Sequence, residues 1–254
     1  MATQLGGRSV TGRALAILGS FDADHPRLSL SDLARRTGIP LSTTFRLVAE
    51  LEQWRALERE CDGRYTVGFR LWELGRLAPV NGVIREAAIP FMQDLYELTR
   101  ENVHLAVRDG DEAIYVEKLT GHRAVPILSR VGGRLPLHAT GVGKVLLAAA
   151  SPAYRAAYLA APLVRVTPYT LADPARLARE LDLVRRRGWA RTSEEMSLGS
   201  CSVAVNVPGT GAALGLVVHS VRRDLERWVP ALQRAAAGVS RQLDIPLDHL
   251  AEAR

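Results

Sequence analysis

The residues best suited to chemistry lie in two short segments of the 254-residue chain. In the first, Ser42, Phe45 and Arg46 fall on one face of a predicted helix, with Thr43 beside the helix N-terminus. This face offers hydroxyl groups, a cation and an aromatic ring. Such groups at the start of a helix suit the base edges and phosphates of DNA. The segment therefore predicts a helix that reads DNA.

The second segment is Gly141-Val142-Gly143-Lys144, at the predicted start of another helix. It fails as a phosphate-binding loop, because His138 stands where that motif needs glycine and Val145 where it needs serine or threonine. Small residues at a helix start either permit close packing or leave amides exposed that can bind a carboxylate. The sequence leaves both interpretations open.

Catalytic and metal chemistry find little support elsewhere. Cys201 has no histidine partner nearby in sequence, and the adjacent carboxylates of Glu194 and Glu195 rarely converge on one substrate. The two cysteines form no Cys-x-x-Cys pair, and the six histidines show no metal-ligand spacing. The sequence therefore predicts no catalytic residue, no metal and no cofactor.

A helix-turn-helix must position the first segment. Its first helix spans about residues 31–37, is capped by Ser29 or Ser31, and is stopped by Gly38-Ile39-Pro40. The second helix buries a stripe at helical spacing, namely Thr44, Leu47, Val48 and Leu51. Helix, turn and helix in this order are typical of DNA-binding domains.

A hairpin follows directly, because two alternating runs flank Cys61-Asp62-Gly63. A helix-turn-helix with a hairpin is a winged helix; the alternative is a small helical subdomain whose polar face is only solvated. We expect Arg64 on the wing to contact phosphate or the minor groove. Further phosphate contacts are predicted for Arg13, Arg35 and Arg36.

The charge of the chain is consistent with a polyanionic partner but does not identify one. The net charge is +6 and the isoelectric point is near 9.8. Residues 1–80 contain 11 arginines against 9 acidic residues, a balance of only +2. Binding to DNA must therefore depend on where the arginines are placed, and it should be sensitive to salt.

The length predicts two domains, residues 1–80 and 81–254. A linker helix over residues 69–77, with Leu71, Trp72 and Leu74 as apolar anchors, leads to a joint at residues 78–82. The helix over residues 84–100 could cover its own domain or a twin subunit. No apolar run is long enough to span a bilayer, so we expect a cytoplasmic protein with no membrane partner.

The second domain alternates between strand and helix patterns. The predicted strands cover residues 103–107, 113–119, 125–130, 202–207 and 214–220. The predicted helices cover residues 140–150, 154–159, 173–187 and 225–243. This order predicts an α+β domain with an antiparallel sheet.

Taken together, six motifs resemble bacterial transcriptional regulators of the isocitrate lyase regulator (IclR) family, over nearly the whole chain. They are RALAIL at residues 13–18, GIPLSTTFRL at 38–47, DGRYTVG at 62–68, LPLHATGVGK at 135–144, RGWA at 187–190 and the stretch 194–199. The resemblance implies a winged helix-turn-helix domain joined by a helical linker to a GAF-like effector-binding domain. It also implies homodimers or dimers of dimers on a palindromic operator in double-stranded DNA, and a small organic acid as effector.

The resemblance also implies which residues bind the effector. Those at family pocket positions are Ala124, Ile127 and Leu135 as apolar walls, Gly141 and Val142 as amide donors, and Thr192, Ser202, Val218 and Ser220 at the remaining polar positions. Thr192 stands for an acid, Ser202 for a cysteine and Val218 for a serine of the glyoxylate- and pyruvate-responding members. These departures imply a different ligand, an aromatic or other carboxylate.

The sequence thus predicts a ligand-responsive DNA-binding repressor of a catabolic operon, sensing a small carboxylate or aromatic acid, and not an enzyme. Two alternatives remain at this point. One is an enzyme acting on a small carboxylate, and the other is a DNA-binding protein whose second domain only oligomerises.

Overall fold

The computed structural model describes residues 9–77, 83–121, 129–221 and 224–243. The chain divides into two compact units, Met1–Ala78 and Pro79–Arg254. The predicted joint at residues 78–82 and most of the predicted strand 125–130 lie outside the described residues. Within the described ranges, no helix has the length and apolarity needed to cross a membrane.

The first unit is a winged helix, as predicted. Its elements are α1 (Val10–Leu18), α2 (Leu30–Thr37), α3 (Leu41–Gln53), β1 (Leu57–Arg59), β2 (Tyr65–Val67) and α4 (Phe69–Arg76). The strands β1 and β2 pair antiparallel, and Leu28 adds a bridge to Tyr65 on the outer side. The wing is therefore fastened to the segment that leads into α2.

A capping box fixes the start of α2. The Ser29 hydroxyl accepts a hydrogen bond from the Asp32 amide at 3.1 Å, and the Asp32 carboxylate accepts one from the Ser29 amide at 3.2 Å. At the other end Gly38 takes the left-handed conformation with φ of +69°, which ends the helix. Of the two predicted caps, Ser29 is the one that acts.

The buried side of α3 matches its predicted stripe. Thr44, Leu47 and Val48 are buried, and Leu51 packs against the same core. The linker helix α4 differs from expectation, since it has no buried residue and its predicted anchors Trp72 and Leu74 are exposed. The ring of Trp72 instead stacks on Phe69 with centroids 4.8 Å apart.

The second unit is an antiparallel sheet between two layers of helices. Its helices are α5 (Arg85–Thr99), α6 (Gly141–Ala149), α7 (Pro152–Ala160), α8 (Pro174–Arg187) and α9 (Val229–Gln242). Its strands are β3 (Asn102–Asp109), β4 (Glu112–Leu119), β5 (Arg134–Pro136), β6 (Trp189–Ser193), β7 (Ser200–Val207) and β8 (Ala212–His219). The sheet order β5-β4-β3-β8-β7-β6 confirms the predicted α+β class.

Two hydrophobic cores lie on opposite faces of this sheet. Helices α5 and α9 cover one face, where Met92, Leu105 and Leu232 are buried. Helices α6, α7 and α8 cover the other, with Leu147 and Leu181 among the buried residues. The sequence analysis missed β6, a five-residue strand that directly follows the end of α8 and pairs with β7.

Helix α6 lies unusually deep, with every residue from Gly141 to Ala148 buried. Glycine allows this approach: a Cβ at position 143 would lie 2.3 Å from the carbonyl oxygen of Leu137. Close packing is therefore the role of Gly143, the third residue of the segment whose function the sequence left open.

We expect Ser29→Ala to destabilise the first unit by about 1 kcal/mol, because it removes the hydroxyl that caps α2. Thermal unfolding of the full chain measures the effect. The matched control is Ser31→Ala, an exposed position inside the same helix that should leave stability nearly unchanged. Equal stability of the two variants would contradict the assignment of the cap.

Candidate functional site

One surface of α3 carries exposed polar, aromatic and cationic side chains. Ser42 and Arg46 are exposed, Phe45 is 57% exposed, and Thr43 is half-buried beside them. Arg46 forms no ion pair with any residue in the described ranges. The opposite side of α3 packs into the core, so the helix is rigidly held while these side chains stay available.

The first turn of α3 adds backbone donors to this surface. Its N-cap is Pro40, whose side chain cannot accept a hydrogen bond, so no side chain caps the amides at the start of the helix. Uncapped amides at a helix N-terminus bind phosphate oxygens of DNA. The surface therefore combines uncapped backbone amides with exposed side chains.

The other predicted DNA contacts differ in availability. The Arg35 guanidinium lies 2.6 Å from Asp32 but remains 77% exposed, whereas that of Arg36 pairs with Asp22 at 2.5 Å and is mostly covered. Hydrogen bonds from His25 and then Arg36 hold the pKa of the Asp22 carboxyl at about 2. Arg36 thus closes the turn before α2.

Two arginines frame the wing, and sequence reasoning missed one of them. The side chain of Arg64 is 58% exposed and 3.8 Å from Asp62, so it is free to reach a partner. Arg27 instead donates to Glu60 and Asp62 across more than 30 residues of sequence, which ties the wing to the segment before α2. Arg13, on α1, is half-buried.

A cavity lies between α6 and the sheet in the second unit. Its volume is about 40 Å³. Its walls are His104, Tyr115, Ser129, Leu135, Ala139, Thr140, Gly141, Val142, Thr192, Met196, Ser197, Ser200, Ser202, Val203, Ala204, Gly215, Leu216 and Val217. These described lining residues include no lysine, arginine, aspartate or glutamate.

The N-terminus of α6 contributes two unused donors to the cavity wall. The Thr140 hydroxyl caps the helix by accepting from the Gly143 amide at 3.0 Å. The amides of Gly141 and Val142 have no acceptor among the described residues, although both residues line the cavity. With the helix dipole behind them, these amides favour a negatively charged group.

Two hydroxyl groups lie beside those amides. Thr192 and Ser202 are register partners on β6 and β7, and their side-chain oxygens are 2.5 Å apart. In such a pair one hydroxyl donates to the other, and the second keeps its proton for another acceptor. A Cβ at Gly141 would lie 2.6 Å from the Ser202 oxygen, so the amides and the hydroxyls are close neighbours.

Five of the predicted effector-binding residues line this cavity: Leu135, Gly141, Val142, Thr192 and Ser202. Ala124 and Ile127 lie outside the described residues. Val218 requires a correction, because it is buried in the core on the α5 and α9 face, and its neighbour Val217 lines the cavity instead. Successive strand residues face opposite sides, so an error of one position moves the side chain through the sheet.

Ser220 follows β8 and is not among the described residues that line the cavity. Its amide donates to the carbonyl of Gly199 at 2.8 Å. That bond holds the end of β8 to the loop before β7, which is a structural role.

Sequence reasoning missed the polar residues at the β3 side of the cavity. On β3 the apolar residues alternate with polar ones such as His104, which a one-sided sheet would expose to solvent. His104 is instead 2% exposed, because α6 covers this face of the sheet. A polar residue alternating on an otherwise buried strand was the available signal.

A buried ion pair connects α6 to the loop that borders the cavity. The Lys144 ammonium lies 2.7 and 2.8 Å from the two carboxylate oxygens of Glu195, and both side chains are almost fully buried. Burial raises the pKa of the Glu195 carboxyl, and the charge of Lys144 opposes that rise. The neighbouring loop residues Met196 and Ser197 line the cavity.

The described residues show no arrangement for metal or nucleophilic chemistry. They contain no group of three histidine, cysteine or acidic side chains that could hold a metal ion. Cys201 is buried on the α5 and α9 side of the sheet, where its thiol donates to Ser193 at 3.4 Å. The polar groups that line the cavity can form hydrogen bonds with a molecule inside it.

Lys144→Met should lower the free energy of unfolding by about 3–5 kcal/mol, because it leaves the Glu195 carboxylate buried without its partner. Without Lys144 the pKa of Glu195 rises further, and the protonated carboxyl is tolerated. The deficit should therefore be smaller at pH 5 than at pH 8, as measured by urea unfolding.

The double variant Lys144→Met/Glu195→Met is the control for this pair. It removes both charges and should recover most of the lost stability. If Lys144→Met alone unfolds like the parent protein at pH 8, the pair does not hold the loop.

Family comparisons match both units. The family described as IclR helix-turn-helix domain matches residues 10–60, and the one described as bacterial transcriptional regulator IclR C-terminal matches residues 80–243. The chain is 34% identical over 243 residues to the transcriptional regulator XynR of Escherichia coli K12, covering 92% of this chain and 96% of XynR. It is 31% identical over 229 residues to the transcriptional repressor AllR of the same strain, covering 88% and 84%.

Solved structures agree. An IclR homologue from Microbacterium hydrocarbonoxydans, complexed with 4-hydroxybenzoate, superposes with a TM-score of 0.89 at 35% identity, covering 94% of this chain and 100% of that one. The IclR protein of Thermotoga maritima superposes with a TM-score of 0.75 at 29% identity, covering 92% and 98%. These relatives are transcriptional regulators and not enzymes.

Proposed function

The chain belongs to the IclR family of bacterial transcriptional regulators, and from that premise we propose that it is a repressor released by a small aromatic acid. DNA binding by the first unit follows from the family. The proposal adds the effector, its place in the cavity under α6, the reading residues on α3 and the control of a catabolic operon.

The observation that carries the effector proposal is the pair of unused amides at Gly141 and Val142, beside the hydroxyls of Thr192 and Ser202. A carboxylate fits these donors, because it is negative and accepts several hydrogen bonds. The described lining offers no cation, so the helix dipole and the hydroxyl group supply the attraction. Small carboxylates are held in this way at other helix N-termini.

The remaining walls favour an aromatic body for this acid. Leu135, Val142 and Val217 give the cavity apolar sides. A flat ring buries its apolar faces in such a slot while its carboxylate stays at α6. The 4-hydroxybenzoate complex of the Microbacterium homologue supports an acid of this size and kind.

For the DNA surface, we assign base contacts to Ser42, Thr43, Phe45 and Arg46, and phosphate or minor-groove contacts to Arg64. Arg13, Arg35 and Arg36 are assigned to phosphate, with Arg36 held by Asp22 and so the weakest of the three. A balance of +2 over residues 1–80 is small for tight binding. A homodimer, or a dimer of dimers, on a palindromic operator would join two or more such surfaces.

Effector binding would act by changing the geometry of the dimer, and thus the spacing of its two reading helices. Repression is supported by the resemblance to AllR, which is a repressor. The acid that releases the protein from DNA would then be a substrate of the enzymes that the controlled operon encodes.

We expect Arg46→Ala to weaken operator binding by roughly 5- to 150-fold, the loss of one good base contact. The operator is first selected with the parent protein from a pool of random duplexes, and gel-shift titrations then follow both proteins over a range of salt concentrations. Arg185→Ala, a charge loss on α8, is the control. Parent-like affinity of Arg46→Ala would refute the assignment of α3 as the reading helix.

Benzoate and 4-hydroxybenzoate should raise the thermal stability of the full chain, by about 2.7 kcal/mol when the ligand is at 100 times its Kd. Benzamide, which has the ring without the charge, should do much less. Gly141→Ala should abolish the shift, because its methyl group would sit 2.6 Å from the Ser202 oxygen. If no acid in a broad carboxylate panel stabilises the protein, the second unit only oligomerises.

A further inference from the structure

The cavity has polar groups at two ends. A carboxylate held by the α6 amides leaves the second end without a ligand group. His104 and Ser129 form this second end, and both are buried. His104 lies on β3, and the whole width of β8 separates it from Ser202 on β7. The cavity therefore has polar groups on both sides of an apolar middle.

The hydrogen bonds at this end are incomplete. The His104 Nε2 atom lies 3.1 Å from the Ser129 hydroxyl, and the ring stands edge-on to Tyr115 with centroids 5.1 Å apart. The Nδ1 atom of His104 has no partner among the described residues. Buried polar groups normally find partners, so an unused ring nitrogen on a cavity wall is suited to a ligand atom.

The His104 ring at this end is uncharged. Burial lowers the pKa of His104 to about 3, and the positive charge of Lys118 acts in the same direction. The Lys118 ammonium also donates to the Ser129 carbonyl at 3.0 Å, which fixes the serine beside the ring. A neutral imidazole offers one donor and one acceptor. It suits a hydroxyl group, which also donates and accepts, and it does not attract a carboxylate.

The span between the two ends fits one ring. His104, Gly215 and Ala204 are successive register partners across β3, β8 and β7, with neighbouring strands about 5 Å apart. Val142 of α6 packs directly over Gly215, since a Cβ at Gly215 would lie 2.9 Å from a methyl carbon of Val142. A ring beside Val142 would have the α6 amides on one side and His104 on the other.

We propose that the effector is a hydroxylated aromatic acid, and that His104, supported by Ser129, binds the ring hydroxyl and so determines specificity. This inference rests on the proposed effector site at α6. It adds that the far end of the cavity selects among acids of the same size. A histidine with only a structural role would pack equally well beside any of them.

Measuring two ligands against two protein variants separates a specificity role of His104 from a purely structural one. Isothermal titration of the full chain measures the affinities for 4-hydroxybenzoate and for benzoate, in the parent and in His104→Leu. The parent should prefer the hydroxylated acid by at least about tenfold, since a site that hydrogen-bonds a hydroxyl is left unpaired by the analogue without it. His104→Leu should lose this preference and keep its affinity for benzoate.

Two further variants act as controls. His104→Gln retains a donor and an acceptor and should keep most of the preference, whereas Val217→Ala should weaken both acids alike without changing their ratio. Should His104→Leu fail to fold, Ser129→Ala replaces it, with a smaller loss of preference expected. In each case the ratio of the two affinities is compared.

The outcomes distinguish the inference from the proposal beneath it. If the parent binds both acids equally, or His104→Leu keeps the parent ratio, the role of His104 is wrong and the carboxylate site at α6 stands. If the parent binds neither acid nor any member of the carboxylate panel, the proposed effector site is wrong and this inference falls with it.

Discussion

The second unit depends on the close approach of one helix to its sheet. Helix α6 can lie this deep because residues 141, 143 and 215 are glycines, and a Cβ at any of them would come within 3 Å of a neighbour. The approach brings the N-terminus of α6 to the middle of the sheet, where polar side chains of β3, β6 and β7 meet it. The same packing that stabilises the core therefore forms the cavity under α6 and leaves the amides of Gly141 and Val142 without an acceptor among the described residues.

The ion pair between Lys144 and Glu195 belongs to the same arrangement. Lys144 is one turn along α6 from Gly141, and the Thr170 hydroxyl donates to the carbonyl of Glu195 at 2.7 Å. A molecule bound at the Gly141 and Val142 amides would therefore contact α6, the helix to which Lys144 anchors the loop at Glu195. Such a pair contributes little net stability compared with an apolar replacement, but it fixes a single position for the loop. A fixed loop keeps the small cavity at one size.

Local signals made the first unit predictable, and long-range packing limited the prediction of the second. Gly38 and the Asp62-Gly63 turn specify their elements within a few residues, so the winged helix follows from the sequence. It is harder to predict which face of the sheet a strand residue lies on. Family resemblance indicated Val218 as a cavity residue, but the alternation along β8 places Val217 at the cavity. His104 was missed because only the covering of its face by α6, nearly 40 residues later, makes that face a cavity wall.

The pairing of arginines with acids explains why one reading unit should bind DNA weakly. Asp32, Asp22 and the acids of the wing engage Arg35, Arg36 and Arg27, so part of the positive charge of this unit is already neutralised. Few phosphate contacts give one unit a shallow salt dependence and low affinity. Two units held at a fixed spacing add their contacts and gain effective concentration. In the proposed dimer, a change in that spacing would therefore weaken operator binding without any change in either reading surface.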